Sequence, residues 1–214
     1  MASSSPLRIF TWLPAVREAL GPGLRAVVWV QGCSLHCPGC LVPETWVTTG
    51  GEWVDAVELA RDILQRSDVE GVTVSGGEPM EQAAGVASLL AAIKMAGKNT
   101  WVYTGYTLEE LVARQDPATD EVLALTDVLV DGRYKMEQGG SFRWRGSLNQ
   151  RIIRLTEAIP LERIAGGESS RIEIRLDQQG HLLIVGVPPP GFLRRFRQGL
   201  TAQGVIVSAE PPWI

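Results

Sequence analysis

The chain has 214 residues, 45% hydrophobic and 21% charged, the make-up of a domain able to bury a core of its own. Twenty Lys and Arg against 24 Asp and Glu leave a net charge of −4, which gives nucleic acid no electrostatic footprint and sets that class of partner aside. The three cysteines, Cys33, Cys37 and Cys40, form an odd and tightly clustered set, which excludes a disulfide framework and points to a reducing compartment, the cytoplasm, and to a bound metal. Residues 1–6 lack the basic stretch and apolar run of a secretory leader, and no apolar run approaches the ~20 residues of a membrane span.

In chain order, an edge strand is expected over residues 7–12, followed by a turn at Gly21, Pro22 and Gly23. Residues 24–30 read as a strand, and the unbroken apolar run Val27, Val28, Trp29, Val30 calls for cover on both faces. After the cysteines, Val54, Val57, Ala60, Ile63 and Leu64 fall at helical spacing. A β-branched run over 69–74 ends at Ser75, Gly76 and Gly77, and Ala83, Val86, Leu89, Leu90 and Ile93 mark a second helix. Residues 99–104 read as a strand broken by Gly105. Thr107 caps a third helix, with Glu109 and Glu110 in its first turn where the macrodipole favours acids. Another strand over 127–130 closes at Asp131 and Gly132. Beyond Gly139 and Gly140 the pattern changes to a strand at 151–155 and a hairpin, 172–176 with 181–185, turning through Gln178, Gln179 and Gly180. Pro188 to Pro190 precede an Arg-rich helix at 192–200, and a last strand is expected at 205–207.

Strands alternating with helices predict an α/β fold with a mostly parallel sheet and right-handed crossovers. In such sheets the loops that follow the strands share one rim, and that rim holds the active site. Here it gathers the cysteine loop, Gly76-Gly77-Glu78, Tyr103-Thr104-Gly105 and Asp131-Gly132.

Cys33, Cys37 and Cys40 form a C-x₃-C-x₂-C loop whose thiolates can close on one compact centre. Iron–sulfur clusters are usually held by four Cys thiolates, so three leave one iron of a [4Fe–4S] cube without a protein ligand. An open coordination position signals chemistry rather than scaffolding. The competing readings are buried free thiols and a zinc site that adds His36, which abuts Cys37 and would strain a shared centre. Ser75-Gly76-Gly77-Glu78-Pro79 reads equally as an ordinary helix start or as a backbone cradle, with Glu78 accepting hydrogen bonds from a bound ammonium group. The arginines at 143, 145, 151 and 154, and those at 194, 195 and 197, read by default as solvated faces.

The cysteine motif after one strand, with Gly-Gly-Glu-Pro after the next, resembles the radical S-adenosylmethionine superfamily. Gly21-Pro22-Gly23-Leu24-Arg25 is similar to a stretch of its glycyl-radical-enzyme activases. Thr45-Trp46, residues 101–106, residues 127–132 and Arg145-Gly146-Ser147-Leu148-Asn149-Gln150-Arg151 resemble the anaerobic ribonucleotide reductase activating proteins. The resemblance covers roughly residues 7–155. It implies a partial, open β/α barrel of mostly parallel strands over residues 1–158, with a C-terminal β-hairpin/helix extension over 159–214 packed on the same domain. It implies that Cys33, Cys37 and Cys40 ligate three irons, that S-adenosylmethionine occupies the fourth, and that Gly76, Gly77 and Glu78 hold its amino group. Tyr103, Thr104, Asp131 and Asn149 are placed at the cofactor rim on the same grounds, with Gln150 beside them and no role defined. A glycyl-radical enzyme, the anaerobic ribonucleotide reductase, is the implied partner, and flavodoxin or ferredoxin the implied electron donor.

Two features depart from the family pattern. Val42 stands where members often carry Asn, and the chain runs some 55 residues past the usual core. They leave the cluster chemistry intact and bear on the partner, keeping open the same cofactor chemistry on a peptide or small molecule, as in a deazaguanine synthase; a non-catalytic iron–sulfur or zinc module is the alternative of another class.

Overall fold

The computed structural model describes residues 5–165, 171–176 and 180–207. Strand β1 (Pro6–Arg17) is not an edge strand as expected: it lies between β2 (Leu24–Val30) and β3 (Glu52–Asp55), antiparallel to both. The short β3 takes the edge, and it absorbs Val54, which helical spacing had assigned to the next element. Helix α1 (Ala56–Leu64) starts only after Asp55, whose carboxylate accepts from the N–H groups of Val57 and Glu58 and so caps it.

Strand β4 (Gly71–Gly76), helix α2 (Ala83–Met95), strand β5 (Asn99–Tyr103), helices α3 (Leu108–Ala113) and α4 (Pro117–Leu125), and strand β6 (Val128–Asp131) follow in alternation. Strands β2, β4, β5 and β6 are parallel neighbours, as the continuous apolar runs predict. The expected single helix after Thr107 is two, because Asp116 and Pro117 start a second one. Thr107 and Glu110 form a reciprocal capping box on the first. A small ribbon of β7 (Gly139–Phe142) and β8 (Arg145–Ser147), not foreseen from the sequence, precedes β9 (Arg151–Arg154), which closes the seven-stranded sheet antiparallel to β6 in the order β3-β1-β2-β4-β5-β6-β9.

Period-two alternation sorts the strand residues between two faces. Val28, Val30, Val72, Val74, Val102 and Leu129 pack beneath the helices in the main core. Val27, Trp29, Trp101, Val128 and Val130 point the other way. There they meet the hairpin of β10 (Ile172–Leu176) and β11 (Leu182–Gly186), through Val185 and Val187, and on the other side Trp144 and Ile159. The Arg17 N–H donates to a Glu173 carboxylate oxygen at 3.2 Å, which ties β1 to β10. The hairpin is as expected, although Gln178 and Gln179 of its turn lie outside the described residues. Helix α5 (Leu161–Ile164) is a single turn, and α6 (Phe192–Ala202) is the foreseen Arg-rich helix with Phe192 and Phe196 stacked at 5.7 Å. The expected strand at 205–207 is absent among the described residues; the Val205 N–H instead turns back to Leu200 O at 3.0 Å and terminates α6. No helix among the described residues is long and apolar enough to cross a membrane.

Candidate metal centre and its rim

The cysteine loop leaves the end of β2 and is held at its base by backbone. Gly32 and Cys33 donate to Thr45 O and Trp46 O at 2.7 and 3.2 Å, and Gln31 Nε2 donates to Glu44 O and Val47 O. Gly32 has φ +102° and Gly39 φ +76°, conformations that let the loop double back, and Cys40 closes a turn onto Cys37 O at 3.1 Å. Ser34 is pinned by Glu81, which accepts from both its N–H and its hydroxyl. His36 is turned against the Trp46 ring, 4.9 Å between centroids.

All three cysteines are free thiols and partly buried. Burial pushes the Cys33 thiol up to about 11 and raises Cys37 and Cys40 too. Backbone N–H groups oppose this: Leu35 and His36 at Cys33, Tyr134 at Cys37 and Val42 at Cys40. Thiols that resist ionising alone but face N–H donors suit thiolates formed on metal binding, because the metal displaces the proton and the N–H bonds then stabilise sulfur charge. Among the described residues no three His, Cys, Asp or Glu side chains converge as a single-ion site would require. Three free thiols on one short loop, each facing a backbone N–H, are the donor set by which iron–sulfur clusters are held, and in that chemistry the residues fit such a group.

The glycine loop after β4 lies directly against this base. Gly77 and Glu78 donate to Val30 O and Gly32 O, each at 2.8 Å. A Cβ on Gly77 would sit 2.1 Å from Gly32 O, and one on Gly76 (φ +97°) would sit 2.6 Å from Val30 N. Only glycine permits that approach. Glu78 is 1% exposed and its carboxylate is fully engaged: Oε1 accepts from Met80 N–H at 3.0 Å and Thr104 Oγ1 at 2.8 Å, and Oε2 from Gly105 N–H at 2.8 Å. Burial pushes this carboxyl up to about 7, against those three donors. Glu78 and Thr104 thus form a strut joining the loops after β4 and β5.

Asp131 and Asn149 sit at the far end of the rim. Buried Asp131 accepts from Leu108 N–H, capping α3, and from Arg151, which also forks onto Glu109. Arg151 is therefore a clasp rather than a solvated charge, as are Arg143 on Glu18 and Arg154 on Ile159 O. Asn149 donates to Arg133 O at 2.8 Å, leaving its Oδ1 buried without a partner, and Gln150 braces Gly132, Gly146 and Ser147. Tyr103 leaves the rim for the inner face of the sheet, where its hydroxyl and the Trp101 Nε1 face each other without hydrogen-bond geometry. The segment after Gly132 was missed: a Cβ on Gly39 would lie 3.1 Å from Met136 Sδ and 3.3 Å from the Tyr134 ring, so these residues cover the cysteine loop. The rule that post-strand loops share a rim, carried past Asp131-Gly132, would have found them.

A family model described as a 4Fe-4S single cluster domain matches residues 19–153, the span holding the cysteine loop, the glycine loop and Asp131. Among curated relatives, the anaerobic ribonucleoside-triphosphate reductase-activating protein of Vibrio cholerae is 37% identical over 145 residues, 64% of this chain and 91% of the relative. The protein of that name from Escherichia coli K12 is 37% identical over 144 residues, 63% of this chain and 91% of the relative. Its counterpart from Enterobacteria phage T4 is 31% identical over 145 residues, 65% of this chain and 89% of the relative. The chain belongs to the family of anaerobic ribonucleoside-triphosphate reductase-activating proteins.

Proposed function

We propose that this chain uses a [4Fe–4S] cluster and S-adenosylmethionine to install a glycyl radical on an anaerobic ribonucleoside-triphosphate reductase. One observation carries the reading: the Glu78 N–H bonds Gly32 O at 2.8 Å, which sets the glycine loop against the base of a three-cysteine loop. When bound, the cluster and S-adenosylmethionine supply one-electron cleavage of the sulfonium to methionine and a 5′-deoxyadenosyl radical, which takes a hydrogen atom from a backbone glycine.

In this reading Cys33, Cys37 and Cys40 hold three irons, and the half-buried backbone of Gly76 and Gly77 receives the amino group. Glu78, its carboxylate engaged by Thr104 and Gly105, holds that backbone at a fixed distance from the cysteines. Thr104, Asp131 and Asn149 complete the cofactor side, Asn149 with a spare acceptor oxygen and Asp131 by anchoring α3 and β9, while Tyr103, expected there from the sequence, is turned to the inner face. Residues 1–158 form the core, an open β/α barrel, and 159–214 an extension on the same domain. The protein works in the cytoplasm, reduced by a flavodoxin or ferredoxin.

Anaerobic reconstitution should give a brown protein with about four irons per chain. Dithionite and S-adenosylmethionine should then yield 5′-deoxyadenosine, and adding the reductase should give a glycyl-radical signal in electron paramagnetic resonance. A colourless protein refutes the reading. Deoxyadenosine without a glycyl radical redirects it to a peptide or small-molecule substrate.

A further inference from the structure

The segment following β6 does two things at once. Its inner side seats Tyr134 and Met136 on Gly39, and the Tyr134 N–H faces the Cys37 sulfur. Its outer side is bare: Met136 is 62% exposed, and Leu148, joined to the same turn by its N–H to Gln138 O at 2.9 Å, is 61% exposed. Two large apolar side chains left in water on segments joined by a backbone bond suit a contact surface rather than a core. Arg133 and Lys135 are exposed on the same segment; the Arg133 charge also bears on the Cys37 thiol beneath it, whereas Lys135 lies on the outer side. Most other rim arginines are engaged: Arg151 pairs with Asp131, Arg143 with Glu18, and Arg145 reaches Gln150 O. Glu137 adds one negative charge to the segment. Two cations against one acid leave this segment net positive in a chain of net charge −4.

We infer that the face formed by Arg133, Lys135, Met136 and Leu148 is the docking surface for a small acidic electron-carrying protein. The inference rests on the cluster assignment above. Exposed cations steer an acidic partner and set its encounter rate, and a small apolar centre suits the weak, short-lived complexes of redox pairs. Position supplies the rest, because Tyr134 and Met136 link this surface to the cysteine loop without an intervening element. One electron leaves the donor, which is oxidised, and reduces the cluster by one; no bond is made or broken.

The test is Lys135→Glu with Leu148→Glu, and each single variant, in the reconstituted holoprotein. Cluster reduction is followed by absorbance with a reduced acidic flavodoxin and, in parallel, with dithionite. The expected result is a roughly tenfold or greater fall in the flavodoxin rate at low salt, with loss of its salt dependence, while the dithionite rate and the cluster midpoint potential stay as in the parent. An unchanged flavodoxin rate overturns the inference, as does a rate loss that tracks a shifted potential. Lost binding to the reductase with a normal flavodoxin rate also overturns it and gives the face to the reductase. A protein that assembles no cluster fails the functional reading instead, a result visible before any donor is added.

Discussion

Glu78 and the three cysteines carry most of what single residues decide. Cys33→Ala, Cys37→Ala or Cys40→Ala should each abolish cluster assembly, read as loss of iron and of visible absorbance, since two thiolates retain a cube poorly. Glu78→Ala should keep the iron and lose S-adenosylmethionine affinity, measured by calorimetry under anaerobic conditions. Iron loss in that variant would place Glu78 in the cluster site instead of the rim. The Glu78 carboxyl, raised by burial to about 7 from an ordinary 4.5, also has a pH signature. Between those values the folded chain binds more protons than the unfolded one, so this group's contribution to stability falls as pH rises and is lowest above 7. In the metal-free chain, wild type should lose on the order of 3 kcal/mol more than Glu78→Gln between pH 4.5 and 7 by denaturant unfolding. Parallel curves for the two proteins would contradict the burial argument.

Elements meet through a few polar clasps. Asp131 joins three of them: it ends β6, caps α3 and holds Arg151 of β9. Because Arg151 is 45% exposed the ion pair itself is screened, and most of the cost of losing Asp131 comes from the buried cap and N–H left unmet. Asp131→Ala should therefore destabilise by about 2 kcal/mol in urea unfolding and loosen hydrogen exchange at Leu108 before that of the central strands. Exchange unchanged at Leu108 would remove the capping role. The alternating strands and helices, the Thr107 cap and the 172–185 hairpin were legible in sequence because each follows from local periodicity or a local hydrogen bond. The edge position of β3, the β7–β8 ribbon and the clasping arginines were not, since each depends on a partner far along the chain, as Arg151 depends on Glu109 and Asp131.

At the scale of the molecule, the sheet is covered by helices on one face and by the C-terminal hairpin on part of the other. Val185 is 1% exposed against Val27 and Trp29. Val185→Ala should cost about 2 kcal/mol while leaving iron content unchanged, because the hairpin adds apolar burial remote from the cysteines in sequence. Iron loss in that variant would show that the hairpin helps to shape the metal centre.

By itself the sequence determined the chemistry on offer: three cysteines at C-x₃-C-x₂-C spacing, a glycine loop one strand later, and the α/β alternation that brings such loops to one rim. Those are local properties of spacing and residue type. Tertiary structure alone decided that Glu78 spends its carboxylate on Thr104 and Gly105, that Tyr103 turns to the inner face, and that Tyr134 and Met136 cover the cysteine loop. Hydrogen-bond partners and burial are set by which distant segments the fold packs together, and a linear pattern does not encode them one residue at a time.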